Sequence, residues 1–165
     1  MSADSPTQFR LHHATENELP IILALIRELA EYEKLSHEVV ATEKILRESL
    51  FDRRAAEVVI GYAGDEPAGF AVYYRTFSTF LGVPGMYLED LFVIPRFRRH
   101  GLGRQLLVHL ARIAEERGYG RIEWSVLDWN ALAIGFYTGL GARPMEEWTV
   151  FRLTGDPLRK LAGRR

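Results

Sequence analysis

One stretch in the middle of the chain, residues 85–117, constrains the fold most. Residues 86–94 form a mostly apolar run that holds β-branched and aromatic side chains, which predicts a strand ended by Pro95. Beyond Gly103 the apolar residues recur at the spacing of one helical face. They are Leu106, Leu107, Leu110, Ile113 and Ala114. The stretch therefore predicts a strand, a short turn and a helix.

The turn between this strand and helix combines glycine with positive charge. It reads Arg98-Arg99-His100-Gly101-Leu102-Gly103. Glycine lets the backbone approach a ligand closely, and the amides that open a helix attract anions. The turn is therefore predicted to bind phosphate. It is neither a Walker loop, because no Gly-Lys-Ser/Thr follows, nor the dinucleotide pattern G-x-G-x-x-G.

The pattern Arg98-x-x-Gly101-x-Gly103 fits Arg/Gln-x-x-Gly-x-Gly/Ala. That pattern is the pyrophosphate signature of the GCN5-related N-acetyltransferases, and the chain resembles this superfamily over residues 9–153. The resemblance implies a single α/β (α+β) domain. Its mixed central sheet would have about six to seven strands, with splayed central strands and about four flanking helices.

Further matches are similar to the diamine (spermidine/spermine) acetyltransferase branch. They are the run 87–93, the early Leu29-Ala30-Glu31-Tyr32-Glu33, Asp128-Trp129-Asn130, Phe136-Tyr137 and Gly141-Ala142. The resemblance implies acetyl-CoA as the cofactor and a small-molecule amine as the acceptor. It also implies a homodimer, since diamine acetyltransferases pair through their later strands.

Length and composition set further bounds. A chain of 165 residues favours one domain, with 47% hydrophobic and 26% charged residues typical of a globular protein. We expect a flexible N-terminal tail at 1–8, the acetyltransferase domain at 9–155 and a C-terminal tail at 156–165. A net charge of −1 argues against a nucleic-acid partner that needs a broad basic surface.

Neither a long apolar run nor an export signal is present, so we expect no membrane partner and a cytoplasmic location. The chain has no cysteine, which removes disulfides and a cysteine acyl-enzyme. The histidines show no metal-ligand spacing, and no metal site is predicted.

Other elements follow from periodicity and turn residues. Further strands are predicted at 9–13, 57–63, 68–77, 121–127 and 148–153. Helices are predicted up to about Lys34, over 42–51 and over 130–140. The first of these begins at Thr15 through a capping box with Glu18, or at Asn17.

Two carboxylates are adjacent on the central strand. Strand geometry directs the side chains of Glu89 and Asp90 to opposite faces, so only one of them can face a ligand. The resemblance selects Glu89, the position that diamine acetyltransferases use to bind the amine and relay its proton through water. For Asp90 we expect a structural role.

Tyr137 is the candidate acid for the departing thiolate. It follows Asn130 by seven residues, which places both on nearly one helical face about 10 Å apart along the axis. A phenol of pKa about 10 is protonated at neutral pH and can donate a proton. The assignment itself rests on the resemblance.

The resemblance also implies the binding residues. Backbone groups of Leu91, Phe92 and Val93 would bind the pantetheine arm. The rest of the cofactor would contact Arg98, Arg99, His100, Gly101, Leu102, Gly103, Arg104, Asn130, Ala133 and Tyr137. The acceptor would contact Tyr32, Glu33, Glu89, Glu123, Trp124, Ser125 and Glu147.

Three functions are open at this point. The first is direct acetyl transfer from acetyl-CoA to a small (poly)amine or amino-acid-like amine, such as spermidine, a short diamine or thialysine. The second is acetylation of a protein N-terminus or lysine. The third is a non-catalytic acyl-CoA-binding module, against which the presence of both Glu89 and Tyr137 weighs.

Overall fold

The computed structural model describes residues 8–164 and divides the chain into two compact units, one up to Ser125 and one from Val126. Among its described residues, 8–125, the first unit contains five strands and three helices besides short 3₁₀ turns. The strands are β1 Phe9–His13, β2 Glu57–Ala63, β3 Glu66–Ser78, β4 Val83–Val93 and β5 Ile122–Glu123. The helices are α1 Leu19–Tyr32, α2 Glu43–Leu46, which continues as a π-helical turn Arg47–Asp52, and α3 Leu102–Glu116.

The five strands form one sheet in the order β1-β2-β3-β4-β5. Neighbours are antiparallel except β4 and β5, which are parallel, so the sheet is mixed as predicted. The β4–β5 ladder covers only Met86↔Ile122 and Tyr87↔Glu123. β4 then continues to Val93 with no β5 residue opposite it among the described residues, which is the predicted splay.

Helices cover both faces of the sheet. Ile22 and Leu25 of α1 pack in a buried cluster with Val58 and Ile60 of β2. The alternate residue, Gly61, meets the side chain of Leu102 of α3 instead. α1 and α3 therefore lie on opposite faces, and each buries an apolar stripe because the sheet supplies apolar residues on both sides.

Local signals fixed the helix starts. Thr15 forms the capping box with Glu18 that leads through a 3₁₀ turn into α1, so Thr15 rather than Asn17 is the cap. Thr42 Oγ1 accepts a hydrogen bond from Ile45 N and caps α2. In both cases the side-chain oxygen satisfies an amide that the helix leaves unpaired.

The described part of the second unit, residues 126–164, contains two helices, α4 Ala131–Gly139 and α5 Gly155–Leu161. Asn130 caps α4, as predicted. The fold class is confirmed, but the expected six to seven strands are wrong, since the described residues contain five. The predicted strand at 148–153 is irregular and exposed. Its sequence pattern identifies only a candidate strand, because a strand also needs a neighbouring strand with which to pair. α5 was not predicted; it occupies part of the segment expected to be a tail.

Candidate active site

The turn before α3 has an open backbone. A 3₁₀ turn Pro95–Phe97 follows β4, and Arg99 and Gly101 then adopt the left-handed conformation with φ of 67° and 87°. Gly101 is the N-cap of α3, and no described side chain caps this helix. A Cβ at Gly101 would meet no described atom within 4 Å. The first amides of α3 are thus left for an external acceptor, which fits a phosphate group.

Leu102 fixes this turn to the sheet. Its side chain is 1% exposed and lies over two glycines of neighbouring strands, Gly61 and Gly69. A Cβ at Gly61 would lie 2.5 Å from Leu102 Cδ1, and one at Gly69 would lie 2.5 Å from the Phe92 carbonyl oxygen. This contact was not predicted, although a glycine inside a strand is a recognised sign of close approach. Leu102 can therefore face a ligand only through its backbone.

The three neighbouring basic residues of the turn, Arg98, Arg99 and His100, have different surroundings. Arg99 and His100 are exposed, as is Arg104 in the first turn of α3. Arg98 is half-buried, and its Nε donates a hydrogen bond to the Val93 carbonyl oxygen at 2.8 Å. The exposed positive charge beside the opening of α3 therefore comes from Arg99 and Arg104, with the His100 ring next to them.

A β-bulge interrupts β4 at Glu89. Leu88 lies opposite Tyr73 and Asp90 lies opposite Val72, so Glu89 has no partner on β3. A bulge re-aims the side chains beside it and breaks the strict alternation of a regular strand. The prediction that Glu89 and Asp90 would be separated by the sheet assumed a regular strand and missed this feature.

Three carboxylates form one electrostatic group. Burial, followed by the charges of Glu89 and Glu33, raises the pKa of Asp90 to about 6. Burial also raises the pKa of Glu33. Glu89 itself is exposed. The end of α1 and the bulge of β4 thus bring together negative charge that a cationic ligand would stabilise. Glu33 and Glu89 were predicted for this role, whereas Asp90 was not.

Tyrosines border this acidic group. The rings of Tyr74 and Tyr87 lie 5.3 Å apart, and the Glu89 charge, after burial, raises the pKa of Tyr74. Tyr87 Oη and Ser125 Oγ are 2.8 Å apart. Tyr32, at the end of α1, packs against Phe92 with ring centroids 6.1 Å apart. Aromatic walls beside carboxylates suit the alkyl chain and charge of an amine.

The predicted acceptor residues near β5 have varied surroundings. Glu123 Oε1 lies 2.8 Å from Arg121 Nε, so its charge is already paired. The Ser125 hydroxyl is held by Tyr87. Trp124 is half-buried. Within the described residues, these three positions therefore add no unpaired carboxylate to the Glu33–Glu89–Asp90 group.

The second unit carries the remaining predicted residues. Asn130 Oδ1 accepts a hydrogen bond from Ala133 N at 3.2 Å, as expected of a helix cap. Tyr137 is half-buried, and its ring lies 5.5 Å from that of Phe136. Glu147 lies in an exposed irregular segment.

Comparison with known proteins identifies the class of this fold. A model of the Acetyltransferase (GNAT) family matches residues 22–142, and the chain belongs to that family. The prediction of an N-acetyltransferase is thereby confirmed: the chain is an enzyme that transfers an acetyl group to an amine.

Two curated relatives and one solved structure illustrate the similarity. A thialysine N-epsilon-acetyltransferase of Caenorhabditis elegans is 37% identical over 157 residues, covering 93% of this chain and 97% of the relative. An L-ornithine N5-acetyltransferase of Arabidopsis thaliana is 31% identical over 198 residues, covering 92% and 87%. An integron cassette protein from the mobile metagenome of V. cholerae superposes with a TM-score of 0.79 at 28% identity, covering 93% and 97%.

No helix within residues 8–164 is both long enough and apolar enough to cross a membrane.

Proposed function

We propose that the protein transfers the acetyl group of acetyl-CoA to a primary amine of a small, multiply cationic acceptor. The observation that carries the proposal is the group formed by Glu33, Glu89 and Asp90. The charges of Glu89 and Glu33 act on the Asp90 carboxyl, and an ammonium group bound near it would offset that repulsion. A diamine, a polyamine or an amino acid with an amine in its side chain has the required charge. The names of the thialysine and ornithine acetyltransferases agree with this class of acceptor.

The cofactor site of the proposal is the turn before α3 together with the splayed edge of β4. The uncapped amides of α3 would bind the pyrophosphate, helped by the charges of Arg99 and Arg104 and by the neighbouring His100 ring. Backbone groups of Leu91 and Val93 would bind the pantetheine arm, because β5 has ended and does not cover them. Bound acetyl-CoA supplies the acetyl thioester.

Glu89 is the proposed proton acceptor. The acceptor amine is protonated at neutral pH and must lose a proton before its nitrogen can attack the acetyl carbonyl carbon. Glu89 is exposed at the bulge and takes this proton directly or through water. Asp90 keeps negative charge nearby and thereby favours the cationic substrate.

Tyr137 is the proposed acid. As the nitrogen–carbon bond forms and the carbon–sulfur bond breaks, its hydroxyl donates a proton to the departing sulfur. The proposal rests on the resemblance and on the helix that Asn130 caps. The proposed transfer is direct, in a ternary complex, and the absence of cysteine removes a cysteine acyl-enzyme.

A homodimer and a cytoplasmic location complete the proposal. The segment 148–153 exposes large apolar side chains, with Trp148 at 74%, Val150 at 83% and Phe151 at 92%. Exposed apolar groups in one short segment are typical of a surface covered by a partner. Sedimentation equilibrium of the wild type and of Phe151→Ser tests the dimer: the wild type should be twice the mass of one chain and the variant should dissociate more readily. A wild-type mass of one chain would contradict it.

A steady-state acetylation screen tests the proposed reaction. Released CoA is measured with a thiol reagent, using thialysine, lysine, ornithine, spermidine, putrescine and lysine-containing peptides as acceptors. Turnover on one or more of the small amines is expected. Glu89→Gln should lower it, while the exposed Glu115→Gln on α3 should not. Turnover on peptides alone would move the reaction to protein acetylation and contradict the small-amine proposal.

A further inference from the structure

The side chain of Arg98 is engaged by the protein itself. Its Nε donates to the Val93 carbonyl oxygen at 2.8 Å. Its guanidinium carbon lies 4.3 Å from the ring centroid of Tyr32 and 5.6 Å from that of Phe92. Arg98 therefore contacts the last residue of α1 and the last two residues of β4.

These contacts use the features that distinguish arginine from lysine. A guanidinium stacks through its flat face and donates from a fixed fork, while an ammonium does neither. In Arg98 the face lies on Tyr32 and the Nε proton is donated to Val93. The neighbours Arg99 and His100 are exposed.

The partners of Arg98 belong to both sides of the proposed site. Tyr32 and the adjoining Glu33 belong to the acceptor side, and Glu33 shares the electrostatic group of Asp90. Val93 ends the strand proposed to bind pantetheine, and Arg98 itself begins the turn proposed to bind pyrophosphate. Arg98 thus joins the acceptor wall to the end of the cofactor strand, beside the direct packing of Tyr32 on Phe92.

We propose that Arg98 is a positioning residue, which holds Tyr32 against the end of β4, rather than a ligand of the cofactor pyrophosphate. This inference rests on the proposed function. Loss of the stacked guanidinium would remove one of the contacts that position the Tyr32 ring and the adjoining Glu33, so the acceptor amine would bind more weakly. The affinity for the pyrophosphate would change little, because Arg99, His100, Arg104 and the amides of α3 remain.

A mutant cycle tests the contact between Arg98 and Tyr32. Arg98→Lys keeps the charge but loses the stacking and the Nε donor, and Tyr32→Leu removes the ring. Each change should raise KM for the amine about tenfold, with kcat within about threefold. The double variant should be no worse than either single variant, since both remove one contact. In a Tyr32→Phe background, which keeps the ring, Arg98→Lys should still raise KM about tenfold.

A control and a ligand comparison separate positioning from pyrophosphate binding. The guanidinium of Arg96 lies over the Phe97 ring at 4.7 Å and pairs with Glu66, so Arg96→Lys loses a similar contact outside the site and should leave KM unchanged. Calorimetry then measures binding of CoA and of pantetheine, which lacks the pyrophosphate. In Arg98→Lys the affinity for CoA divided by the affinity for pantetheine should stay within about twofold of the wild-type ratio. In Arg99→Gln that ratio should fall.

Two results would overturn the inference. One is a selective loss of CoA affinity in Arg98→Lys with an unchanged KM for the amine, because that is the behaviour of a pyrophosphate ligand. The other is a KM in the double variant that rises by the product of the two single-variant increases, because independent effects multiply.

If the wild type acetylates no amine, the proposed function fails. The coupling between Arg98 and Tyr32 is then measured from the urea unfolding of the same four proteins. Non-additive unfolding free energies would support the contact and additive ones would overturn it.

Discussion

The hydroxyl oxygens of Tyr87 and Ser125 lie 2.8 Å apart where β4 and β5 cease to pair. Tyr87 is the last residue of β4 with a partner on β5, and Ser125 lies two residues beyond that partner, Glu123. The side-chain bond thus continues the connection between the two strands after the backbone ladder has ended. It defines how far the two strands remain joined before the splay.

Removing this bond should loosen the start of the splay. We expect Tyr87→Phe and Ser125→Ala each to lower the unfolding free energy by about 1 kcal/mol, a usual value for one hydrogen bond. The double variant should lose about as much as one single variant, since both substitutions remove the same bond. Urea unfolding measures all four proteins, and additive losses would show that the two hydroxyls contribute separately.

The raised pKa of Asp90 should make the free energy of unfolding depend on pH. Its pKa is raised from 3.8 to about 6 in the folded protein, so the folded state holds the proton more tightly than the unfolded state. This contribution to stability is present below about pH 4 and is lost as the pH rises through 6. In the wild type this lowers the free energy of unfolding by on the order of 2 kcal/mol between pH 4 and pH 7.5, and Asp90→Asn should abolish that decrease. Unfolding free energies at both pH values give the comparison. An equal pH dependence in wild type and variant would contradict the assignment.

Much of the fold was predictable because it depends on local sequence. The capping box at Thr15, the cap at Asn130 and the strand–turn–helix around Gly101 each follow from residues a few positions apart. The bulge at Glu89 was not predictable from its own strand, since it depends on the register with β3. For the same reason the irregular state of 148–153 was missed: a strand needs a partner that its own alternation does not specify.

The candidate site was only partly predictable, because its arrangement depends on contacts between distant residues. The motif indicated an anion-binding turn but did not distinguish the contacts of the half-buried Arg98 from the exposure of Arg99 and His100. The stacking of Arg98 on Tyr32 joins residues 66 positions apart, and the fit of Leu102 over Gly61 and Gly69 joins three elements. The grouping of Asp90 with Glu33 likewise requires the end of α1 to meet β4.

Glu89→Gln tests the proton acceptor. If Glu89 takes the proton of the amine, the variant should lose most activity at lower pH, where the amine is hardest to deprotonate. We expect kcat/KM to fall about 100-fold near pH 6.5 and much less near pH 9. The pH–rate profile of both proteins provides the measurement, with Glu115→Gln as the control. A profile of unchanged shape would assign the proton to another group or to bulk water.

Tyr137→Phe tests the acid. The variant keeps the ring in its surroundings on α4 but cannot donate a proton to sulfur. Turnover should fall roughly 100-fold, while acetyl-CoA affinity measured by calorimetry stays within about threefold. Tyr119→Phe, in the turn that follows α3, is the control and should retain turnover. Wild-type turnover in Tyr137→Phe would remove this residue as the acid.

Selection of a multiply charged amine by the Glu33–Glu89–Asp90 group is the central property of the proposed site. The most direct measurement compares kcat/KM for 1,4-diaminobutane and for butylamine, which has the same carbon chain and one charge fewer. The wild type should prefer the diamine at least about tenfold, and Glu33→Gln should reduce that preference while leaving acetyl-CoA binding unchanged. Equal kcat/KM for the two amines, or a preference that Glu33→Gln leaves intact, would contradict the account.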